Sequence, residues 1–333
     1  MNIVVTGAAG LIGSNIVKAL NEKGISNILA VDNLTDPRKF LNLVDCDIAD
    51  YFPKDEFRLA LSAGSFDGEI SAILHQGACS NTMETDGGYV MDNNYRYSSD
   101  ILAYCQQEAV PLIYASSAAV YGGSNEFSES RKCEMPINVY GYSKFLFDQL
   151  VRRRWEDNTA QVVGLRYFNV YGPRESHKDN MASVGYHLFN QYTKFGQVNL
   201  FQGSGGYRNG EQERDFVSVI DAVALNLWFL ENQDKSGIFN CGTGTARSFN
   251  SLAVATINAC RKRDGEENLS LEEILQKKIL KYIPFPDDLL DKYQNFTEAD
   301  TSKLTEIGYD LPFLDLESGI DKYVQWLVEN SKS

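Results

Sequence analysis

Positive charge is scarce in this 333-residue chain, where 31 Lys and Arg stand against 45 Asp and Glu for a formal net charge of -14. A broad grip on nucleic acid or acidic lipid needs basic surface, so those partners are excluded, whereas a small anion in a locally basic pocket is not. No apolar run reaches the ~18 residues of a membrane span, and the opening "MNIVVTGAAGLIGSNIV" lacks the basic n-region and cleavage site of a signal peptide. A soluble, cytoplasmic protein is the expectation. The six cysteines (Cys46, Cys79, Cys105, Cys133, Cys241, Cys260) show no CxxC spacing, which argues against a zinc site or a disulfide framework and for reduced thiols. Internal repeats and low-complexity tracts are absent as well.

What the chain does contain is an alternation. The short apolar runs "NIVVT" (2–6), "NILAV" (27–31), "AILHQ" (72–76), "PLIYAS" (111–116) and "VVGLRYF" (162–168) read as buried parallel strands, separated by amphipathic segments long enough for crossover helices. This predicts an α/β protein: a doubly wound parallel Rossmann sheet with a smaller, discontinuous α+β substrate-binding domain. After Phe168 the rhythm breaks into a Gly- and Asn-rich region that includes "QGSGGYRNGEQE" (202–213). Strand and helix signals then resume at "RDFVSVIDAVALNLWFL" and "IFNCGTG". The expected division is therefore a dinucleotide-binding domain at 1–168, rejoined by about 215–245, and a substrate domain at 169–214 and 246–333. Residues 263–278 read as a charged, solvated surface excursion.

The first strand runs into Gly7-x-x-Gly10-x-x-Gly13. Glycines there permit a tight turn, close approach of backbone to a pyrophosphate and packing of helix on strand, and the helix N-terminus favours the phosphate charge. A lone glycine triplet is a weak signal. This one follows a strand, opens the helix "LIGSNIVKALNEKG" and precedes Asp32 by 19 residues from Gly13, at the strand end where an adenosine ribose is read. Dinucleotide binding is the prediction.

The stretch "PINVYGYSKFLFDQL" (136–150) holds Tyr140, Tyr142 and Lys144. On a helix only the (i, i+4) pair shares a face, so Tyr140 and Lys144 form the candidate acid/base pair and Tyr142 does not. A nearby ammonium is expected to lower the phenol pKa from its usual value of roughly 10. The competing reading of this stretch alone is an amphipathic surface helix.

Three motifs together, TGxxGxxG at Thr6 to Gly13, the serine strand "YASSAAVYGG" (114–123) and YxxxK at Tyr140 to Lys144, resemble those of the extended short-chain dehydrogenase/reductases. These are nucleotide-sugar epimerases and dehydratases. The segments "DNNYRYS" (92–98), "LRYFNVYGPRESHK" (165–178), "MASV" (181–184), "RDFV" (214–217), "YIPFPD" (282–287) and "YQNFTEAD" (293–300) resemble the ADP-heptose epimerases of that group. The resemblance implies that Tyr140 is the acid/base, that Lys144 holds the nicotinamide ribose and lowers the phenol pKa, and that Ser117 hydrogen-bonds the reacting oxygen while Ser116 packs or caps. It implies Lys178 as a second proton group that also lies near the cofactor. Around the cofactor it assigns Gly7, Gly10, Leu11, Ile12, Gly13, Asp32, Asn33, Lys39, Lys54, Gln76, Gly77, Ala78, Cys79, Ser80, Asn93 and Val170. On the substrate side it assigns Asn169, Asn180, His187, Phe201, Gln202, Gly203, Ser204, Arg214 and Tyr293.

Each role has a plainer competitor. Ser117 at a strand end also serves to satisfy a backbone group, His187 reads equally as a helix histidine with satisfied partners, and Arg214 reads as a surface charge. An arginine just before a buried strand nevertheless suits a diphosphate, because its fork binds bidentately. The cofactor signals conflict. Asp32 favours the ribose 2′-OH of NAD, while Arg38, Lys39, Lys54 and the resemblance favour NADP, which is the expectation here. The implied reaction inverts C6 of ADP-D-glycero-β-D-manno-heptose, in a homo-oligomer for which the resemblance implies a pentamer. A UDP-glucose 4-epimerase-like enzyme shares every cofactor motif and is the alternative. A 4,6-dehydratase fits less well because Ala118 and Ala119, not an acidic pair, follow Ser117. A non-catalytic dinucleotide sensor on the same fold is the alternative from another class, though such sensors usually lose the Tyr and Lys present here.

Overall fold

A computed structural model describes residues 1–285 and 294–330. The chain divides into two compact units, the first comprising residues 1–167, 222–241 and 302–309, the second 168–221, 242–301 and 310–330 of the described chain.

In the first unit the strands Asn2–Thr6 (β1), Ile28–Asp32 (β2), Asp50–Pro53 (β3), Ile70–His75 (β4), Leu112–Ser117 (β5), Val162–Tyr167 (β6) and Gly237–Cys241 (β7) form one sheet in the order β7-β6-β5-β4-β1-β2-β3. Every pairing in it is parallel. Its inner strands are almost wholly buried, because helices cover both faces of such a sheet; this is why they read as continuous apolar runs rather than alternations. One core joins Val4, Leu29, Val31, Ile73, Leu112, Tyr114 and Val162 of the strands to Phe57, Ile101, Leu102, Phe147 and Val151 of the helices. Strand order reverses between β1 and β4, so the carboxyl ends of those two strands flank the crevice in which doubly wound sheets bind ligands.

The sequence reading missed β3. "DYFP" is a four-residue edge strand, only partly buried, closing on a proline, and it carries none of the apolar signal of the inner strands.

In the second unit, Glu213–Ser218 pairs in parallel with Asn169–Tyr171 and antiparallel with Ala246–Ser248. Val198–Phe201 and Leu280–Ile283 form a separate parallel pair. The helices Val184–Phe195, Phe249–Arg263 and Leu316–Asn330 pack into a core that includes Leu188, Phe189, Leu252, Ile257, Ile320, Tyr323 and Leu327. Two details differ from the expected division. The strand Glu213–Ser218 hydrogen-bonds to the small sheet of this unit rather than to β7 or β6, so the return to the first unit begins at Ala222. Residues 302–309 rejoin the first unit, where Lys303 Nζ donates to the Ile238 carbonyl (2.8 Å) and the Tyr309 ring meets Trp228 edge-on. The 263–278 stretch is also more than solvated surface. A capping box between Ser270 and Glu273 starts the helix Leu271–Gln276, and Leu269 and Ile274 are buried in the core.

Candidate active site

At the end of β1 the chain turns at Gly7, whose φ of +65° suits glycine and where a Cβ would stand 2.7 Å from the Gly77 nitrogen. A Cβ at Gly13 would lie 2.0 Å from the Gly7 carbonyl oxygen, so the helix Leu11–Glu22 reaches the strand only because both positions lack a side chain. Gly10 caps that helix with no side-chain hydrogen bond, and its first turn holds no acidic residue. Its leading amides, at Leu11 and Ile12, are thus left to a ligand or water, and they carry the positive end of the helix dipole.

Asp32, at the end of β2, is buried. It accepts from the amides of Ala9 (2.8 Å) and Asn33 (2.6 Å) and pairs with the Lys39 ammonium. The carboxylate therefore braces the glycine turn, and its charge is offset by a lysine. Arg38 pairs with Asp36 (2.7 Å), while Lys54 donates to Asn93 Oδ1 (2.8 Å).

The catalytic candidates sit on β5 and on the helix Val139–Arg153. Asn138 caps that helix by accepting from the Gly141 amide (2.7 Å), and its buried face is Gly141, Ser143, Lys144, Phe147, Asp148 and Val151. Tyr142 points away and is 46% exposed. Tyr140 is half-buried and its phenol hydrogen-bonds Ser117, which also accepts from the Ala119 amide (3.1 Å). Ser116 faces elsewhere, donating to Asp148 (3.0 Å). The two serines thus face different partners, since adjacent strand residues point to opposite faces.

The electrostatics differ from the expectation. Burial pushes the Tyr140 phenol up, and the group that opposes this is Ser117, through its hydrogen bond, rather than Lys144. Lys144 is itself 4% exposed, donates to the Ala115 carbonyl (2.7 Å), and is pushed down by burial to about 8, with Asp148 one turn away opposing the fall. Lys144 thus donates a hydrogen bond to the strand. Asp148 is anchored from below, accepting from Tyr114 (2.9 Å) and from Arg166, which also pairs with Glu134. This buried cluster fixes the helix on β5 and β6.

The segment Gln76–Ser80 leaves β4 beside the glycine turn. Gln76 closes a triangle with Tyr167 and Asn226: Tyr167 Oη donates to Gln76 Oε1 (2.9 Å), Asn226 Nδ2 donates to Tyr167 Oη (2.8 Å), and Gln76 Nε2 donates to Asn226 Oδ1 (3.1 Å). A π-helical turn, Asp92–Arg96, follows the short helix Gly87–Met91 and turns Asn93 toward Lys54 and Asn94 toward Cys79. Burial raises the pKa of the Cys79 thiol. Tyr167, Asn226, Asn94 and His75 were not singled out from sequence, although Asn94 stands in the quoted "DNNYRYS" next to the residue that was.

In the second unit, Lys178 lies in the 3-10 segment Ser176–Met181. Burial lowers its pKa and Glu175 opposes the fall. Glu175 is 1% exposed and accepts from Tyr323 Oη (2.8 Å), Ser183 Oγ (2.7 Å) and the amides of Ser183 (2.5 Å) and Gly172 (3.3 Å). Arg174 and Asp179, on either side, have φ of 72° and 46°. Asn169 and Asn180 are exposed, and Val170 and His187 are intermediate. Phe201 and Gln202 are exposed at the end of a strand, while Gly203 and Ser204 turn into a loop in which Ser204 accepts from Gln212 (3.2 Å). Arg214 is buried, donates to the backbone carbonyls of Glu213 (2.8 Å) and Gln294, and stacks over Phe249; it is not the surface charge of the plainer reading. Tyr293 lies outside the described residues. Among the described residues no cluster of His, Cys, Asp and Glu could hold a metal, and no helix is long and apolar enough to cross a membrane.

Comparison with known proteins adds four likenesses. The profile of the NAD dependent epimerase/dehydratase family matches residues 3–242. The chain is 59% identical over 327 residues to the ADP-L-glycero-D-manno-heptose-6-epimerase of Thiobacillus denitrificans, covering 98% of both. Among solved structures it is similar to the Helicobacter pylori ADP-L-glycero-D-manno-heptose-6-epimerase, with a TM-score of 0.80, 30% identity and coverage of 97% of this chain and 95% of that one. It also resembles the Thermus thermophilus UDP-glucose 4-epimerase in complex with NAD (TM-score 0.77, 23% identity, 99% and 100% coverage), a likeness of fold alone.

Proposed function

The chain belongs to the NAD dependent epimerase/dehydratase family, and from that premise we propose that it converts ADP-D-glycero-β-D-manno-heptose to ADP-L-glycero-β-D-manno-heptose by inversion at C6, in the cytoplasm, for the inner core of lipopolysaccharide. The observation that carries the reading is Tyr140, hydrogen-bonded to Ser117 and one turn before the buried Lys144 on a capped helix.

The glycine turn fits a dinucleotide. Side-chain-free positions at Gly7 and Gly13, uncapped amides at Leu11 and Ile12, and the braced Asp32 supply the space and donors that a pyrophosphate and an adenosine ribose require. A nicotinamide held there would supply the hydride acceptor and donor that oxidation of the C6 alcohol and its reduction on the other face require. Tyr140 takes the hydroxyl proton of one epimer as the carbon is oxidised, with Ser117 holding the reacting oxygen. Its phenol is raised by burial, and the hydrogen bond from Ser117 opposes that rise. Between the two steps C6 must present its other face, so its oxygen points in a new direction. Tyr140 is fixed on its helix and serves one epimer better than the other. Lys178, already moved toward neutrality by burial, is the second proton group in this reading, and Asn169, Asn180, His187, the run Phe201 to Ser204, Arg214 and Tyr293 bind the nucleotide sugar.

NADP is the cofactor of this reading. Lys39 offsets the Asp32 charge that would otherwise repel a 2′-phosphate, and Lys54 adds a second cation held by Asn93. Mass spectrometry of the nucleotide released on denaturation tests it, and mainly NAD would overturn it. Incubation with ADP-D-glycero-β-D-manno-heptose should give the L-glycero epimer without net cofactor turnover, and turnover of UDP-galactose instead would move the substrate assignment to the 4-epimerases. A homo-oligomer, a pentamer by resemblance, belongs to the same reading; a sedimentation mass of one chain would remove it.

A further inference from the structure

His75 ends β4, is 2% exposed and takes no part in the reaction described above. Its ring is held at both nitrogens. Nδ1 lies 2.6 Å from Thr6 Oγ1 and Nε2 lies 2.8 Å from Ser98 Oγ, with the Tyr97 ring set edge-on 5.2 Å away. The directions of these bonds follow from proton counting. Ser98 Oγ gives its one proton to the Asn94 carbonyl (2.7 Å), so toward His75 it can only accept. Nε2 therefore carries the proton. In a neutral ring Nδ1 is then bare and accepts the Thr6 hydroxyl proton, and Thr6 Oγ1 in turn accepts from the Gly77 amide (3.0 Å).

The result is a one-way chain from the Gly77 N–H through Thr6, His75 and Ser98 to the Asn94 carbonyl. The Nδ1–H tautomer would set a bare Nε2 against the lone pairs of Ser98, and a doubly protonated ring would leave the Thr6 proton without an acceptor in a buried place. Burial and the nearby Lys144 charge act in the same sense, pushing His75 down to about 3. At the far end of the chain the Asn94 side chain accepts from the Cys79 amide (2.7 Å) and donates to the Cys79 carbonyl (3.1 Å) and to Ser143 Oγ (3.0 Å). Ser143 Oγ donates to the Tyr140 carbonyl (2.7 Å). The loop Gly77–Cys79 is thus tied at one end to the glycine-turn strand and at the other to the helix that carries Tyr140.

We propose that His75 is a positioning residue, locked as the neutral Nε2–H tautomer, whose directed hydrogen bonds fix the Gly77–Cys79 segment between the glycine turn and the Tyr140 helix. Its consequence for cofactor retention rests on the dinucleotide reading above; the hydrogen-bond chain does not.

The test uses the full-length protein with its bound nucleotide and histidine labelled with 15N. With only three histidines, His75→Gln assigns the signal. From about pH 5 to 9 the ring should show the Nε2–H pattern without titrating, whereas a free imidazole changes near 6.5. Thr6→Val keeps the side-chain shape and removes the hydroxyl. It should speed hydrogen exchange of the Gly77 amide and release of the bound nucleotide about tenfold, the size expected for one buried neutral hydrogen bond. Thr6→Ser, which keeps the hydroxyl, should rescue both. An Nδ1–H ring, titration of His75 in that range, or wild-type Gly77 exchange in Thr6→Val would overturn the proposal. If the protein carries no nucleotide, the cofactor reading fails, and the ring pattern and amide exchange still decide the role of His75.

Discussion

Lys144 and Lys178 are both lysines that burial moves toward neutrality against the pull of one carboxylate, and they are held by opposite means. In the first unit Lys144 stands in the middle of a fifteen-residue helix, with Asp148 one turn on and the Arg166 cluster beneath. Its position follows from regular backbone geometry. In the second unit Lys178 stands on a short 3-10 segment between two residues of positive φ, and the loop keeps its shape because the buried Glu175 gathers four donors from Gly172, Ser183 and Tyr323. A helix places a side chain through its period. A loop does so through strain held by a clamp. The first arrangement holds its lysine at one place on a rigid element, and the second sets its lysine on a loop.

The largest effect expected is on the regular side of this comparison. Tyr140→Phe should lower kcat by roughly a thousandfold, within the span of a lost general acid/base, with nucleotide still bound and the fold intact. Tyr142→Phe, on the exposed face, should stay within about threefold of wild type. A dead Tyr142→Phe beside an active Tyr140→Phe would break the helix-face argument. Lys178→Met should lose two to three orders of magnitude, by order of size for a proton-transfer group, and affect the two directions of epimerisation unequally. Equal wild-type rates in both directions would leave Lys178 a binding residue.

The same contrast explains what was legible beforehand. The sheet, the glycine turn with Asp32, and the Tyr140–Lys144 pair could be read because each rests on a period: apolar runs for buried strands, fixed glycine spacing for the turn, four residues for a helix face. Ser117 was separated from Ser116 by resemblance, and strand alternation gives the physical reason. What could not be read has no period. The hydrogen-bond triangle of Gln76, Tyr167 and Asn226 joins residues far apart in the chain, and His75 looked like the end of an apolar strand. The edge strand β3 carries too little apolar surface to signal itself. The phenol electrostatics were misjudged because spacing places Lys144 near Tyr140 in the helix but is silent on burial, and burial is the largest influence on both groups.

A third expectation concerns stability rather than rate. Lys144 has its folded pKa lowered from 10.5 to about 8, so between those values the unfolded chain binds a proton that the folded chain does not. Its contribution to stability is fully present above the unfolded pKa and is lost as the pH falls through about 8. The span is on the order of 3 kcal/mol at most, from about 1.4 kcal/mol per unit. Denaturation of nucleotide-free protein should therefore show wild type gaining stability relative to Lys144→Met as the pH is raised from 8 toward 10. Parallel curves would mean that Lys144 keeps an ordinary pKa and that the burial argument fails for the regular side.

The smallest effect tests the strained side. Asp179 has φ 46° and ψ -122°, a region that glycine enters freely and other residues enter at a cost of about 1–3 kcal/mol. Replacing it with glycine removes that cost but adds conformational freedom to the unfolded chain, an opposing contribution of roughly 0.5–1 kcal/mol. The first quantity is the larger. Asp179→Gly should raise stability by about 1 kcal/mol, measured as a higher denaturant midpoint with an unchanged slope, while Asp179→Ala, which relieves nothing, should not. Epimerisation is the sharper measurement. If strain at Asp179 is only the result of the Glu175 clamp closing the loop, Asp179→Gly keeps the rate. If the rate falls while stability rises, the strain itself holds Lys178 in place, and the loop trades stability for the position of its lysine.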